Sequence, residues 1–480
     1  MKQTNTSDIS ISKLAIHSAT GDYDLKPHFV SLNIYENLYR QSLTADITLS
    51  DSVNLPYHLA LVGQETVNID IKLTGFEEGS AIAEQEISIK PPPFHVINMN
   101  NRIYTKPKTQ VFTLLLISEH YMSSLHSKVS KSYFNKTIGE MVSDIYLTYL
   151  DDRTQSEKDN GLRGLFVEPT NREERFIIPN LSPLDAIRWL SKRTEQDSGF
   201  GVNYVFFETV SRSYFCSLNY LLENQEPLMT FIYRPRVDDP SGVESLAEGV
   251  VKIESFSFMK QFDRRQIVVD GVYSSKLITH DIVTKTIEEH DYDGYAQWEE
   301  INHLGKYPPL SDSDIDTKSA SVVRTSHAPP GLVDYPNDSK RMSGQHDGDV
   351  DFYPKHDNMY SQNANDEYDN YVEEWRARRK NHMGIHDAVG IVIQVKGVSS
   401  LRVGQVVKLI LPSPETSEGD KKADTENDKF LTGNYMINAI QHIISAGNVN
   451  DPKISYLMNI ELSKDGMEEQ IAYRESRKED

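Results

Sequence analysis

Leu61-Val62-Gly63-Gln64-Glu65-Thr66-Val67-Asn68-Ile69-Asp70-Ile71-Lys72-Leu73 is the stretch whose reading decides the fold. From Val67 onward apolar and polar residues alternate strictly, the period of a strand with one buried face. Ala45, Ile47 and Leu49 alternate with Asp46 and Thr48 in the same way, and Thr74-Gly75 and Lys90-Pro91-Pro92-Pro93 supply breaks between such runs. Residues 1–118 therefore read as an all-β unit.

The same stretch has an echo far down the chain. Arg402-Val403-Gly404-Gln405 leads into Val406 to Leu411 as Leu61-Val62-Gly63-Gln64 leads into Val67 to Leu73. Gly63 to Phe94 and Gly404 to Tyr435 are both 31 residues, and each aromatic opens an apolar β segment. Phe112 to Ser118 is then answered by Tyr456 to Ser463, 18 and 21 residues further on. Self-similarity at this spacing predicts a duplicated β-barrel.

Between the two copies the period changes. Ile138, Met141, Val142, Ile145 and Tyr149 fall at helical spacing. A second helix opens with Ser182 as N-cap, Pro183 at the first helical position and Asp185 at the third, with Leu184, Ile187 and Leu190 as its stripe. Tyr204 to Thr209 and Tyr214 to Leu218 read as a hairpin. Residues 281–384 turn to Asp, Asn, Ser, Tyr, Pro and His, closing on a helix with the stripe Tyr368, Tyr371, Val372 and Trp375. Val389, Ile391, Ile393 and Val395 then resume the alternation. The predicted class is mainly β with α+β insertions. Its units are a first tube-like barrel at 1–118, an α-containing middle domain at 119–198, and a discontinuous second barrel at 199–280 and 385–466. A peripheral polar insertion at 281–384 and a charged tail at 467–480 complete the chain.

Composition excludes several functions. Lys+Arg 50 against Asp+Glu 71 leaves a net charge of −21, the wrong sign for a general nucleic-acid binder. A negative wall would instead let DNA slide past without sticking. Cys216 is the single cysteine, so no intrachain disulfide or thiolate metal cluster is expected, which suits a reducing cytoplasm. The polar start Met1-Lys2-Gln3-Thr4-Asn5 lacks the apolar core of a secretory signal. The densest apolar run, Phe112 to Ile117, falls far short of the roughly 20 residues that cross a bilayer.

In order along the chain, Ser42-Leu43-Thr44-Ala45-Asp46-Ile47, Val129-Ser130-Lys131-Ser132-Tyr133, Phe176 through Leu190, Tyr204 through Thr209, Gly404-Gln405-Val406-Val407, Gly433-Asn434-Tyr435 and Gln441-His442 resemble the baseplate hub proteins of contractile-tailed bacteriophages. More distantly they are similar to the N-terminal half of type VI secretion spike proteins. The resemblance implies a homotrimer of tandem barrels, a pseudo-hexameric annulus joining a six-fold tail tube to a trimeric central spike. It also implies neighbouring baseplate or wedge proteins as partners, and a lumen that passes DNA or tape measure without specific binding. The place implied is the virion's tail baseplate, assembled in the host cytoplasm. The long 281–384 insertion departs from the compact pattern of the family.

No enzyme signature competes with this reading. There is no Gly-x-Ser-x-Gly elbow, no Walker loop and no Gly-x-Gly-x-x-Gly after a strand. Eight of the 15 histidines lie between His280 and His386 without zinc-site spacing. Asp347-Gly348-Asp349-Val350-Asp351 imitates half a calcium loop, with Phe352 where glycine is required. No cofactor, metal or catalytic residue is expected, and Cys216, inside an apolar strand, reads as an inert buried thiol. The alternative is a virion-associated cell-wall hydrolase with β accessory domains, whose reaction would need two positioned carboxylates. The dense basic run Arg376, Arg378, Arg379 and Lys380 ends the Trp375 helix, where cations suit the helix dipole or could dock an acidic neighbour.

Overall fold

The alternating segments form strands of a single large sheet. The computed structural model describes residues 9–73, 88–89, 93–151, 164–223, 226–233, 251–261, 272, 274–294, 297–308, 350–356, 371–413, 427–447 and 454–468. The first module comprises β1 (Ile9–Ser18), β2 (Gly21–Asp24), β3 (Phe29–Asn37), β4 (Thr44–Asp51), β5 (Thr66–Leu73), β6 (Ser88–Ile89), β7 (Phe94–Lys106) and β8 (Thr109–Ser118). Its strand order is β3-β4-β8-β7-β5-β1-β2. Ala45, Ile47 and Leu49 are buried as their period predicts, each full burial contributing about 1.5–3 kcal/mol for a Leu or Ile.

In the middle of the chain, β9 (Val129–Thr137) pairs antiparallel with β11 (Glu173–Leu181), while β10 (Leu165–Val167), β12 (Tyr204–Glu208) and β13 (Ser213–Ser217) make a separate three-stranded sheet. Two helices pack between them. The helix Ile138–Ile145 is held by a capping box between Thr137 and Glu140, and the helix Pro183–Ser191 starts at Ser182, whose side chain accepts the Asp185 N–H. Residues 204–217, which the sequence assigns to the second barrel, thus pair with β10 instead. The physical reason lies in the run Tyr204-Val205-Phe206-Phe207, which is apolar on both faces and buried throughout. Tyr204 and Phe206 enter the middle core, while Val205 and Phe207 enter the core of the large sheet. The hairpin is the plate between two cores.

The second module takes β14 (Thr230–Ile232), β15 (Ile253–Lys260), β19 (Val389–Lys396), β20 (Val406–Ile410), β21 (Gly433–Ser445) and β22 (Ser455–Lys464). Their order is β15-β19-β22-β21, with β20 on β21 and β14 on β20. Strand for strand this repeats β3-β4-β8-β7-β5-β1. The repeat extends to irregularities: β7 bulges between Val96 and Asn98 where β21 bulges between Ile437 and Ala439, and β3 shifts between Phe29 and Ser31 where β15 shifts between Ile253 and Ser255. Gly63 and Gly404 turn with φ of 93° and 83°, a conformation that favours glycine. β8 and β22 share one burial pattern, alternating and then buried at three successive positions. That pattern sets Phe112 against Met458, two residues from the Tyr456 match that spacing suggested. The likeness ends at the last strand, where β14 runs parallel to β20 but β1 antiparallel to β5.

β16 (Ser274–Asp281), which the sequence also assigns to the second barrel, pairs instead with β17 (Thr286–Asp293) and β18 (Val350–Pro354) of the polar insertion, a small sheet backed by the helix Val372–Ile385. Val202, Leu277, Val372 and Trp375 make its core. Tyr371 precedes that helix with a positive φ of 48°. Tyr368, Asp347, Gly348, Asp349 and most of the charged tail lie outside the described residues.

Candidate interaction site at the junction of the modules

The two modules meet along one antiparallel seam, β3 against β21, from Asn37 opposite Ala439 to Ser31 opposite Ser445. The Leu38 N–H donates to the Asn438 carbonyl and the Ala446 N–H to the Val30 carbonyl, both at 2.8 Å, so the ladder runs past both strand ends. On the core face Leu32, Ile34, Ile440 and Ile444 are fully buried. On the opposite face amides link neighbouring strands: Asn33 donates to Asp46 (2.8 Å), Gln441 to Asn33 (3.5 Å), Asn459 to Gln441 (3.1 Å) and Gln394 to Asn459 (3.1 Å). Five adjacent strands carry this ladder, and the Tyr35 hydroxyl also donates to Asp46 at 2.8 Å. Burial, then Asp46, pushes the Tyr35 hydroxyl up to about 12.

One buried carboxylate clamps three parts of the chain here. Glu36 continues the core phase of Leu32 and Ile34, so strand alternation drives an acid into the interior. It accepts the Val210 N–H at 3.0 Å, from the turn of the plate hairpin, and the Val403 N–H at 3.5 Å, from the second module. Arg402 Nε stands 3.9 Å away and His442 Nε2 3.7 Å, ionic distances beyond hydrogen-bond reach. Burial alone would raise the carboxyl; His442, Arg402 and the Val210 N–H outweigh it and hold Glu36 below the usual carboxylate value. His442 Nδ1 lies 2.8 Å from the buried Tyr456 hydroxyl.

A second buried acid ties the middle sheet to the first module. Glu208 ends β12 and accepts the Leu43 N–H at 3.0 Å, while His120 Nδ1 lies 3.0 Å from its other oxygen, off the line of a good hydrogen bond. Burial opposes both charges. The mutual attraction prevails, so Glu208 sits below its ordinary value and His120 above. Neither acid belongs to a motif. The one signal available in the sequence is phase, a glutamate where the strand period requires an apolar residue.

The basic run is engaged within the chain. Arg379, its proton affinity lowered by burial to about 10, donates to the carbonyls of Val202 (2.7 Å) and Tyr204 (3.2 Å). Arg376 donates to Asp351 at 3.0 Å, and Arg378 lies 3.9 Å from Glu300 and 5.0 Å over the Phe200 ring. Lys380 is half-buried on the same helix. The His-rich segment scatters: His303 bonds Asp465 at 2.8 Å and stacks on Trp298, His356 bonds Asp281 at 2.9 Å, and His386 lies 3.0 Å from Ser463 Oγ. Among the described residues no group of three or more His, Cys, Asp or Glu is placed to hold a metal. Cys216 is fully buried, and burial followed by Glu168 pushes its thiol well up.

No family model and no curated protein matches the chain. Solved structures do resemble it. A tail protein from Neisseria meningitidis MC58 aligns at 8% identity and a TM-score of 0.46, over 94% of this chain and 96% of that one. The 43 kDa tail protein of prophage MuSo2 from Shewanella oneidensis aligns at 10% identity and 0.47, over 94% and 98%. A type VI secretion component of E. coli, described as similar in structure to T4 tail proteins, aligns at 10% and 0.39, over 98% and 79%. At these identities the likeness is one of fold.

Proposed function

We propose that the chain is a structural hub subunit of a contractile phage tail baseplate, a homotrimer whose two modules alternate around one axis. Three chains then present six similar modules, matching a six-fold tail tube on one side and a three-fold spike on the other. The observation that carries this reading is the repeat: two modules of one strand order, with matching bulges, fused by a strand-paired seam within a single chain. Affinity resides in broad interfaces, with no turnover. Residues 1–118 and a discontinuous second unit are the ring modules, and the 281–384 arm with its basic helix faces neighbouring baseplate or wedge proteins. The lumen passes DNA or tape measure without specific binding.

Light scattering on the purified chain tests the reading. The expected mass is three times 54.7 kDa, about 164 kDa, with class averages showing a six-fold repeat. A 54.7 kDa monomer that cleared cell-wall substrate would overturn it in favour of a hydrolase.

A further inference from the structure

The seam inside the chain uses one edge of each module, and the repeat identifies the edges left over. β21 corresponds to β7 and β3 to β15. Among the described residues, β7 beyond its bulge pairs only with β8, and β15 pairs only with β19. Both edges leave large apolar side chains in solvent where the existing seam buries their counterparts. Leu32 lies opposite Ile47 and Ile34 opposite Ala45; at the matching places Phe256 lies opposite Ile393 and Phe258 opposite Ile391. Ile444 lies opposite Tyr456, and Tyr104 opposite Gln110 at the same point of the shared burial pattern. Leu32, Ile34 and Ile444 are 0% exposed, whereas Phe258 is 41% and Tyr104 71% exposed. Free edges of this kind invite strand addition.

We infer that β15 of one copy pairs antiparallel with β7 of the next copy, repeating between chains the seam that β3 and β21 make within one. Because Leu32 faces Ile444 and Asn33 faces Ile443, the repeat sets Phe256 opposite Tyr104 and Ser257 opposite Ile103 of the neighbouring copy. The aromatic pair falls on the core face and the Ser257–Ile103 pair on the opposite face, the one that carries the amide ladder at the existing seam. This inference rests on the ring reading above and supplies its contact between copies: three seams within chains alternate with three between them.

The test is Ile103→Cys combined with Ser257→Cys under mild oxidation, both at exposed positions. Directly opposed residues on antiparallel strands stand about 4.5–5.5 Å apart at Cα, within disulfide reach. Denaturing, non-reducing electrophoresis should show covalent trimers for the double variant and single chains for each single variant. Ile103→Cys with Glu254→Cys, three residues out of register, should not cross-link. A complex of trimer mass that fails to cross-link, or that cross-links equally in the offset pair, overturns the seam and leaves the ring standing. A monomer on light scattering overturns both.

Discussion

Glu36→Ala removes the acceptor on which three parts of the chain converge, and its cost can be worked from the contacts. The Val210 N–H at 3.0 Å and the weaker Val403 N–H at 3.5 Å lose their partner in a site from which water is excluded. A stranded buried donor costs about 1–3 kcal/mol. Arg402 and His442 also lose the charge they face, and breaking one side of a buried pair costs about 3–5 kcal/mol. These terms describe one cluster and do not add, so the expected loss is about 3–5 kcal/mol in total. A chain with several cores need not unfold in one step, so the assay is local: amide hydrogen exchange at Val210 and Val403. At about 1.4 kcal/mol per tenfold, exchange there should accelerate by about a hundredfold or more. The antiparallel pair β9–β11, remote from Glu36 in the pairing scheme, should keep its protection. Glu36→Gln retains an oxygen acceptor and should preserve most of the Val210 protection. If Glu36→Ala leaves both amides within tenfold of wild type, the clamp is not what holds the junction.

Glu208 and His120 should stabilise the first module against the middle sheet over a limited pH window. The lowered Glu208 contributes above its ordinary value of 4.5 and is lost as pH falls through its folded value; the raised His120 contributes below 6.5 and is lost as pH rises through its own. Their joint contribution should therefore be greatest between 4.5 and 6.5, and Glu208→Gln should flatten a pH series of denaturation midpoints there. Gly397→Ala would drive a methyl group into the ring of buried Tyr456, an overpacking expected to cost about 1–3 kcal/mol in chemical denaturation; an unchanged midpoint would show that the ring yields freely. Arg379→Ala strips two carbonyls of their donor, so the helix Val372–Ile385 should become protease-sensitive, and Arg379→Lys, lacking the fork, should restore only part. Wild-type resistance of the helix, with weakened binding of a baseplate neighbour, would assign Arg379 to docking instead.

Short-range pattern determined a good deal without coordinates. Alternation at Val67 to Ile71 and at Ala45 to Leu49 names both the strand and its buried face, because a period of two leaves one choice of side. Ser182-Pro183 marks a helix start, because the chemistry of a first turn is local. The repeat was legible from the glycine turns and the aromatics 31 residues beyond them, although its last strand was offset by two places that no spacing could reveal. Only the tertiary structure decided which strands pair. Tyr204 to Phe207, apolar on both faces, suits any two cores and is committed only by the elements that arrive around it. Glu36, Glu208, His120 and His442 became a site in the same way. Each is one polar residue among many in the chain, and its meaning depends on charges and amides up to 406 positions away, which the fold brings within 4 Å of one another.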